Sequence, residues 1–191
     1  MIISDSHNFL FIANTKTGST SIENYLSRYE SDHDIICKHC ILKNIYKEFP
    51  FIKDYFKFAI VRNPFDWVVS WYFFRKNITN KNNTRDISFK EWLVDQNSSA
   101  YNFKGIGLTL SQYDIINGDG NINVDFIGRF ENLQGDFDTV CDKIGIPRQE
   151  LRHRNKSNHK HYTEYYDDET RQIVADKYAK DIEYFRYKFG E

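Results

Sequence analysis

The residues best suited to chemistry begin with Lys16-Thr17-Gly18-Ser19-Thr20-Ser21, which gathers one cation, one glycine and four hydroxyls in six positions. The N–H groups of a helix's first turn lack intrahelical partners, and the helix dipole there favours an anion. Gly18 permits a close turn, Lys16 adds charge, and the hydroxyls add donors. The order differs from G-x-x-x-x-G-K-[ST], because the lysine precedes the glycine, so a standard nucleoside-triphosphate loop is disfavoured. An ordinary Ser/Thr helix cap explains the same hexamer. A second candidate pairs Arg62 with Ser70. On a helix opening at Pro64, Asp66 and Ser70 are i, i+4 neighbours and make the polar stripe of an otherwise apolar helix. Arg62 falls at the carboxyl end of an expected strand, where open α/β sheets bind ligands. Arg62 and the Ser70 hydroxyl suit a second phosphate. An Arg62–Asp66 pair tying down the helix start is the compatible alternative.

Phe9 to Ala13 is a continuous apolar run and reads as a buried strand. Ile22, Tyr25, Leu26 and Tyr29 then mark one face of a helix. The order repeats with a strand over 56–61 and a buried helix from Pro64 to about Lys76. A helix over 41–49 is stopped by Pro50, and Ser88 with Glu91 makes a capping box for a helix over 89–95. Residues 97–123 read mostly as loop. A strand over 124–127 and helices over 133–144, 168–178 and 182–189 complete the pattern. Strands alternating with helices predict an α/β fold: a P-loop-like parallel β-sheet flanked by helices, in a single domain spanning 1–191.

Composition sets the outer limits. The chain has 191 residues, 40% hydrophobic and 28% charged, enough for one core without a disulfide or metal staple. Three prolines and nine glycines argue against a long linker. No apolar run is long enough to span a membrane, and residues 1–13 lack the marks of a secretory signal. The odd cysteine count of three suggests reduced thiols and a cytoplasmic location. Cys37-Lys38-His39-Cys40 is formally C-x-x-C, yet Cys141 alone supplies no second ligand pair, so no metal is expected. A net charge of -1 disfavours a long nucleic-acid footprint. It leaves room for a local cationic site, because residues 148–161 hold five Lys/Arg, three His and a single acid, Glu150. Aromatic residues make up 17% of the chain. Placement assigns most to the two strand–helix units and leaves Tyr162, Tyr165 and Tyr166 as candidates to pack beside a purine.

"NTKTGSTS" after the first strand, "VRNPFDWVVSWYFF" after the second and the later "DFIGRFENLQGDF" together resemble the carbohydrate-type, family-two sulfotransferases. The resemblance covers residues 9–189, with little match over 77–121. It implies 3′-phosphoadenosine 5′-phosphosulfate (PAPS) as sulfuryl donor and adenosine 3′,5′-bisphosphate as product, with no metal. It implies Lys16, Thr17, Gly18, Ser19, Thr20 and Ser21 around the 5′ group, and Arg62 and Ser70 on the 3′-phosphate. The tail "NKSNHKHYTEYYDDET" with "YFRYKF" resembles the family's C-terminal end, a nucleotide-covering loop over 146–166 that carries Lys156 and Ser157 as further donor-binding residues. Residues 77–121 are then an acceptor-side insertion. The family usually has a proline where Asn14 or Thr15 stands, and a polar residue there is expected to loosen the turn.

Members acting on glycosaminoglycans have a histidine near the position of His39 that serves as catalytic base, a task suited to a near-neutral pKa. A structural histidine beside two thiols is the alternative, and His159 and His161 are rivals. Glu23, Asp66 and the pair Ser111-Gln112 are weaker ones. The resemblance implies in-line displacement at sulfur, with Lys16 catalytic beside His39 and a hydroxyl acceptor on a glycan or small molecule. Competing readings are a nucleotide or small-molecule kinase, and a non-catalytic nucleotide or single-stranded nucleic-acid binder.

Overall fold

Phe9, Leu10, Phe11 and Ile12 are apolar on both faces, as a strand covered on both sides must be. In the computed structural model, described for residues 1–33, 41–81, 87–96, 110–117, 120, 123–152 and 159–191, they form β2 (Phe9–Ile12). It lies between β1 (Ile2–Ser4) and β3 (Phe56–Val61), with β4 (Phe126–Arg129) beyond β3. Among the described residues the sheet order is β1-β2-β3-β4. β2–β3 and β3–β4 are parallel, and β1 runs antiparallel on the edge. The sheet is therefore parallel as expected except at β1, whose three residues are too few for any periodic signal. Phe58 stands opposite Phe11 and Phe126 in register, and the Phe11 and Phe58 rings stack at 5.0 Å.

The chain divides into two compact units, Met1–Arg62 with Gln112–Arg154, and Asn63–Ser111 with Asn155–Glu191. In the first unit the sheet is joined by α1 (Ser19–Leu26), α2 (Leu42–Glu48), α5 (Gln112–Ile116) and α6 (Leu133–Ile144). Ile22, Tyr25 and Leu26 of α1 and Phe137, Val140, Cys141 and Ile144 of α6 are buried, which satisfies the apolar stripe of each helix. Tyr25 meets Phe137 edge-on at 5.6 Å, and its hydroxyl donates to the Pro147 carbonyl. Gly145, at φ 70, closes α6 as the sequence predicts. The helix α5 lies in the stretch expected to be loop. Its flanking glycines hid it, yet Ile115 and Ile116 are buried and anchor its single turn.

In the second unit α3 (Pro64–Lys81) is buried around Phe65, Trp67, Val68, Val69, Trp71 and Tyr72. With α4 (Phe89–Gln96), α7 (Asp168–Lys177) and α8 (Ala179–Phe185) it encloses an aromatic core in which Trp67 meets Tyr178 edge-on at 5.4 Å. The capping box at Ser88 and Glu91 forms as predicted, with the Glu91 carboxylate accepting from both Ser88 N and Oγ. The last helix stops earlier than 189, because Arg186 turns left-handed (φ 56) and Tyr187 N donates to Ile182 O. No helix among the described residues is long and apolar enough to cross a membrane.

Candidate functional site

After β2 the chain turns at once: Asn14 N donates to Ile12 O and Thr17 Oγ1 to Asn14 O. Lys16 (φ 59) and Gly18 (φ 77) are both left-handed. Such residues swing successive N–H groups to one side, the concave arrangement that receives an anion. A left-handed non-glycine residue costs roughly 1–2 kcal/mol, so the fold holds Lys16 there against its preference. The ladder of α1 starts with Ser21 N donating to Gly18 O, leaving earlier first-turn N–H groups for a ligand.

Asn14 departs from expectation. Rather than loosening the turn it is fully buried, and its Nδ2 donates to Ile60 O at 3.3 Å, tying the turn to β3. The hydroxyls divide into two sets. Thr17 and Ser21 serve the protein itself, since Ser21 Oγ donates to Arg152 O at 2.7 Å. That bond brings the start of the basic segment to the first turn of α1. Ser19 is buried and Thr20 half-buried in the same turn. Gly18 is needed for its backbone. A Cβ there would also stand 2.7 Å from Leu133 Cδ2, but that is the end of a flexible side chain. Gly18→Ala is therefore expected to lose roughly 1–2 kcal/mol of stability in chemical denaturation through φ alone. Adding Leu133→Ala should not restore it.

Arg62 leaves the end of β3 beside this turn. Its Nη1 donates to Lys16 O at 3.1 Å, and its guanidinium lies over the Phe130 ring at 4.1 Å. Gln112 grips its backbone: Arg62 N donates to Oε1 at 2.9 Å and Nε2 donates to Arg62 O at 2.7 Å. Burial first, and the Arg62 charge second, lower the Lys16 ammonium from 10.5 to about 8. An anion placed by the two cations would relieve both effects. Gln112 and Phe130 are site residues that sequence reasoning missed or weighed for another task. Phe130 stood inside the quoted "FIGRFENL" run, the one available signal. Gly128 of that run faces Ile60 Cδ1 and Asp136 Cβ, at 2.6 and 3.0 Å from where its own Cβ would lie, so α6 passes too closely for a side chain.

Ser70 is buried on α3 in the second unit, 3% exposed. His39, Lys156, Ser157, Cys37 and Cys40 lie outside the described residues. Within the basic segment, Arg148 pairs with Asp142 and Lys160 with Glu164. His159 stacks on Phe73 at 4.9 Å, and His161 Nδ1 meets Thr163 Oγ1. Tyr162, Tyr165 and Tyr166, the sequence candidates to pack beside a purine, take part in the packing of the second unit. The Tyr162 hydroxyl accepts from Gly190 N and donates to Glu191 O, and that of Tyr166 donates to Phe65 O.

A donor-rich turn after one parallel strand, beside an arginine ending the next, is the arrangement with which P-loop-like α/β proteins receive anions. The sequence profile of the sulfotransferase family matches residues 1–188, and the chain belongs to that family. A protein of Archaeoglobus fulgidus, described only as uncharacterized, is 36% identical over 100 residues, which are 50% of this chain and 72% of that one. The crystal structure of a sulfotransferase from Alicyclobacillus acidocaldarius aligns over 92% of both chains with a TM-score of 0.52 at 15% identity. That likeness is one of fold. Family membership supports sulfotransfer as the general activity.

Proposed function

We propose that the chain moves the sulfuryl group of PAPS to a hydroxyl of an acceptor, a carbohydrate being the favoured class. The observation that carries the reading is the junction of Lys16 and Arg62 at the ends of adjacent parallel strands, closed by the bond from Arg62 Nη1 to Lys16 O. It supports a site for a small polyanion bearing charge at two points. When bound, PAPS supplies an activated sulfuryl group, whose bond to the 5′-phosphate oxygen breaks as its bond to the acceptor oxygen forms. Lys16 Nζ and the N–H groups opening α1 stabilise charge at the leaving oxygen. Ser19 and Thr20 add donors to the same group, Thr17 and Ser21 shape the turn that holds it, and Gly18 lets the backbone approach. Arg62, with Ser70, holds the 3′-phosphate, and Lys156 and Ser157 close over the nucleotide within the 146–166 loop. His39 takes the acceptor proton. Residues 77–121 meet the acceptor, and the whole chain acts in the cytoplasm as one sulfotransferase domain.

Incubation with radiolabelled PAPS and a panel of glycans and small alcohols, with a chelator present, tests the reading. Label transferred to a hydroxyl acceptor is expected. Phosphoryl transfer from ATP–magnesium with no sulfuryl transfer would instead favour a kinase.

A further inference from the structure

We propose that Gln112 is a positioning residue of the anion site: its side-chain amide holds both backbone groups of Arg62 and so sets where the guanidinium stands beside Lys16. The proposal rests on the reading of Lys16 and Arg62 as the cations of that site. Pairing of β3 with β4 ends at Val61, opposite Arg129. Among the described residues the β3–β4 ladder goes no further. Gln112, fully buried at the start of α5, fills the place of one. Its amide accepts from Arg62 N at 2.9 Å and donates to Arg62 O at 2.7 Å, as a strand partner does. Only one amide orientation satisfies an N–H and a carbonyl together, so the side chain is locked.

This grip matters to the side chain, not only to the strand. With N and O of residue 62 fixed, the guanidinium reaches both the Lys16 carbonyl and the Phe130 ring. Asn14 makes the matching tie on the other strand, from its Nδ2 to Ile60 O. Together the two amides set the spacing of the two cations, at the cost of bringing like charges near one another. Burial is the larger cause of the lowered Lys16 ammonium, and the nearby Arg62 charge is the second.

The test uses Gln112→Leu and Gln112→Glu in the full chain, with two readouts. One is the affinity for adenosine 3′,5′-bisphosphate against pH. The other is the ionisation midpoint of Lys16, from competitive acylation with acetic anhydride read by mass spectrometry. In Gln112→Leu the affinity should fall about tenfold as two buried backbone groups lose their partner. The Lys16 midpoint should rise above about 8 as Arg62 draws away. Gln112→Glu keeps the acceptor but, when ionised, sets a carboxylate against the Arg62 carbonyl. Its affinity should recover as the pH is lowered and the carboxyl regains a donor. Should the leucine variant fail to fold, the glutamate variant above and below its own titration decides. Folded variants with unchanged midpoint and unchanged affinity would overturn the proposal. If the unaltered chain binds no bisphosphate, the nucleotide reading fails, and the shift in the Lys16 midpoint alone judges Gln112.

Discussion

Lys16→Met is expected to lower the turnover of sulfuryl transfer by about 10²–10³-fold, the usual loss when one preorganised donor to a developing negative charge is removed. Methionine keeps the length and the apolar stem, so the turn should survive while the charge is lost. Bisphosphate affinity should fall far less, because Arg62 and the first-turn N–H groups remain. The same lysine sets a pH limit. Its ammonium is lowered to about 8, by burial and then by Arg62, so above that pH the free protein presents a neutral amine. The kcat/KM for the donor, which reports the free enzyme, should therefore decline as pH rises through about 8. The sign for stability is opposite. Below that pH the folded state carries a charge that burial disfavours, and this cost is relieved between about 8 and 10.5. An alkaline limb identical in Lys16→Met and the parent would remove Lys16 from the account.

Arg62→Ala should act on binding. Arg62 is 7% exposed, with its guanidinium stacked on Phe130 and joined to Lys16 O. Truncating one member of a buried, hydrogen-bonded charge pair costs about 2 kcal/mol or more, roughly a thirtyfold rise in the dissociation constant. Turnover at saturating donor should change little, since Arg62 is assigned to the end of the nucleotide remote from sulfur. The fold should tolerate the change, because Gln112 holds the backbone and not the side chain of residue 62. Arg62→Lys should recover only part of the loss, as an ammonium lacks the planar fork and the ring stack. Loss of the Arg62 charge should also move the alkaline limb of Lys16 upward. A calorimetric titration across pH reads both effects.

The elements carrying these two cations were legible in the sequence because each has a strong local signal. The run Phe56–Val61 became β3 at its predicted limits, and Pro64 opened α3 as its fixed φ suits. Leu133–Ile144, bounded by Gly145, became α6. β1 was missed because it is a strand only through its ladder with β2. Asn14 looked like a loosened turn because its partner, Ile60 O, lies 46 residues away. Gln112 was hidden for the same reason: a polar residue in a glycine-flanked stretch shows nothing of a backbone 50 residues earlier. Tyr162 and Tyr166 carry both a ring and a hydroxyl, and sequence cannot say whether a ligand or the core takes them. The structure gives them to the core.

Calorimetric titration of the chain with adenosine 3′,5′-bisphosphate, in chelator and at neutral pH, tests the central claim most directly. The account predicts micromolar one-to-one binding, weakened roughly thirtyfold by Arg62→Ala and only slightly above pH about 8, with no comparable binding of ATP–magnesium. Failure to bind the bisphosphate, or equal binding in Arg62→Ala, would contradict it.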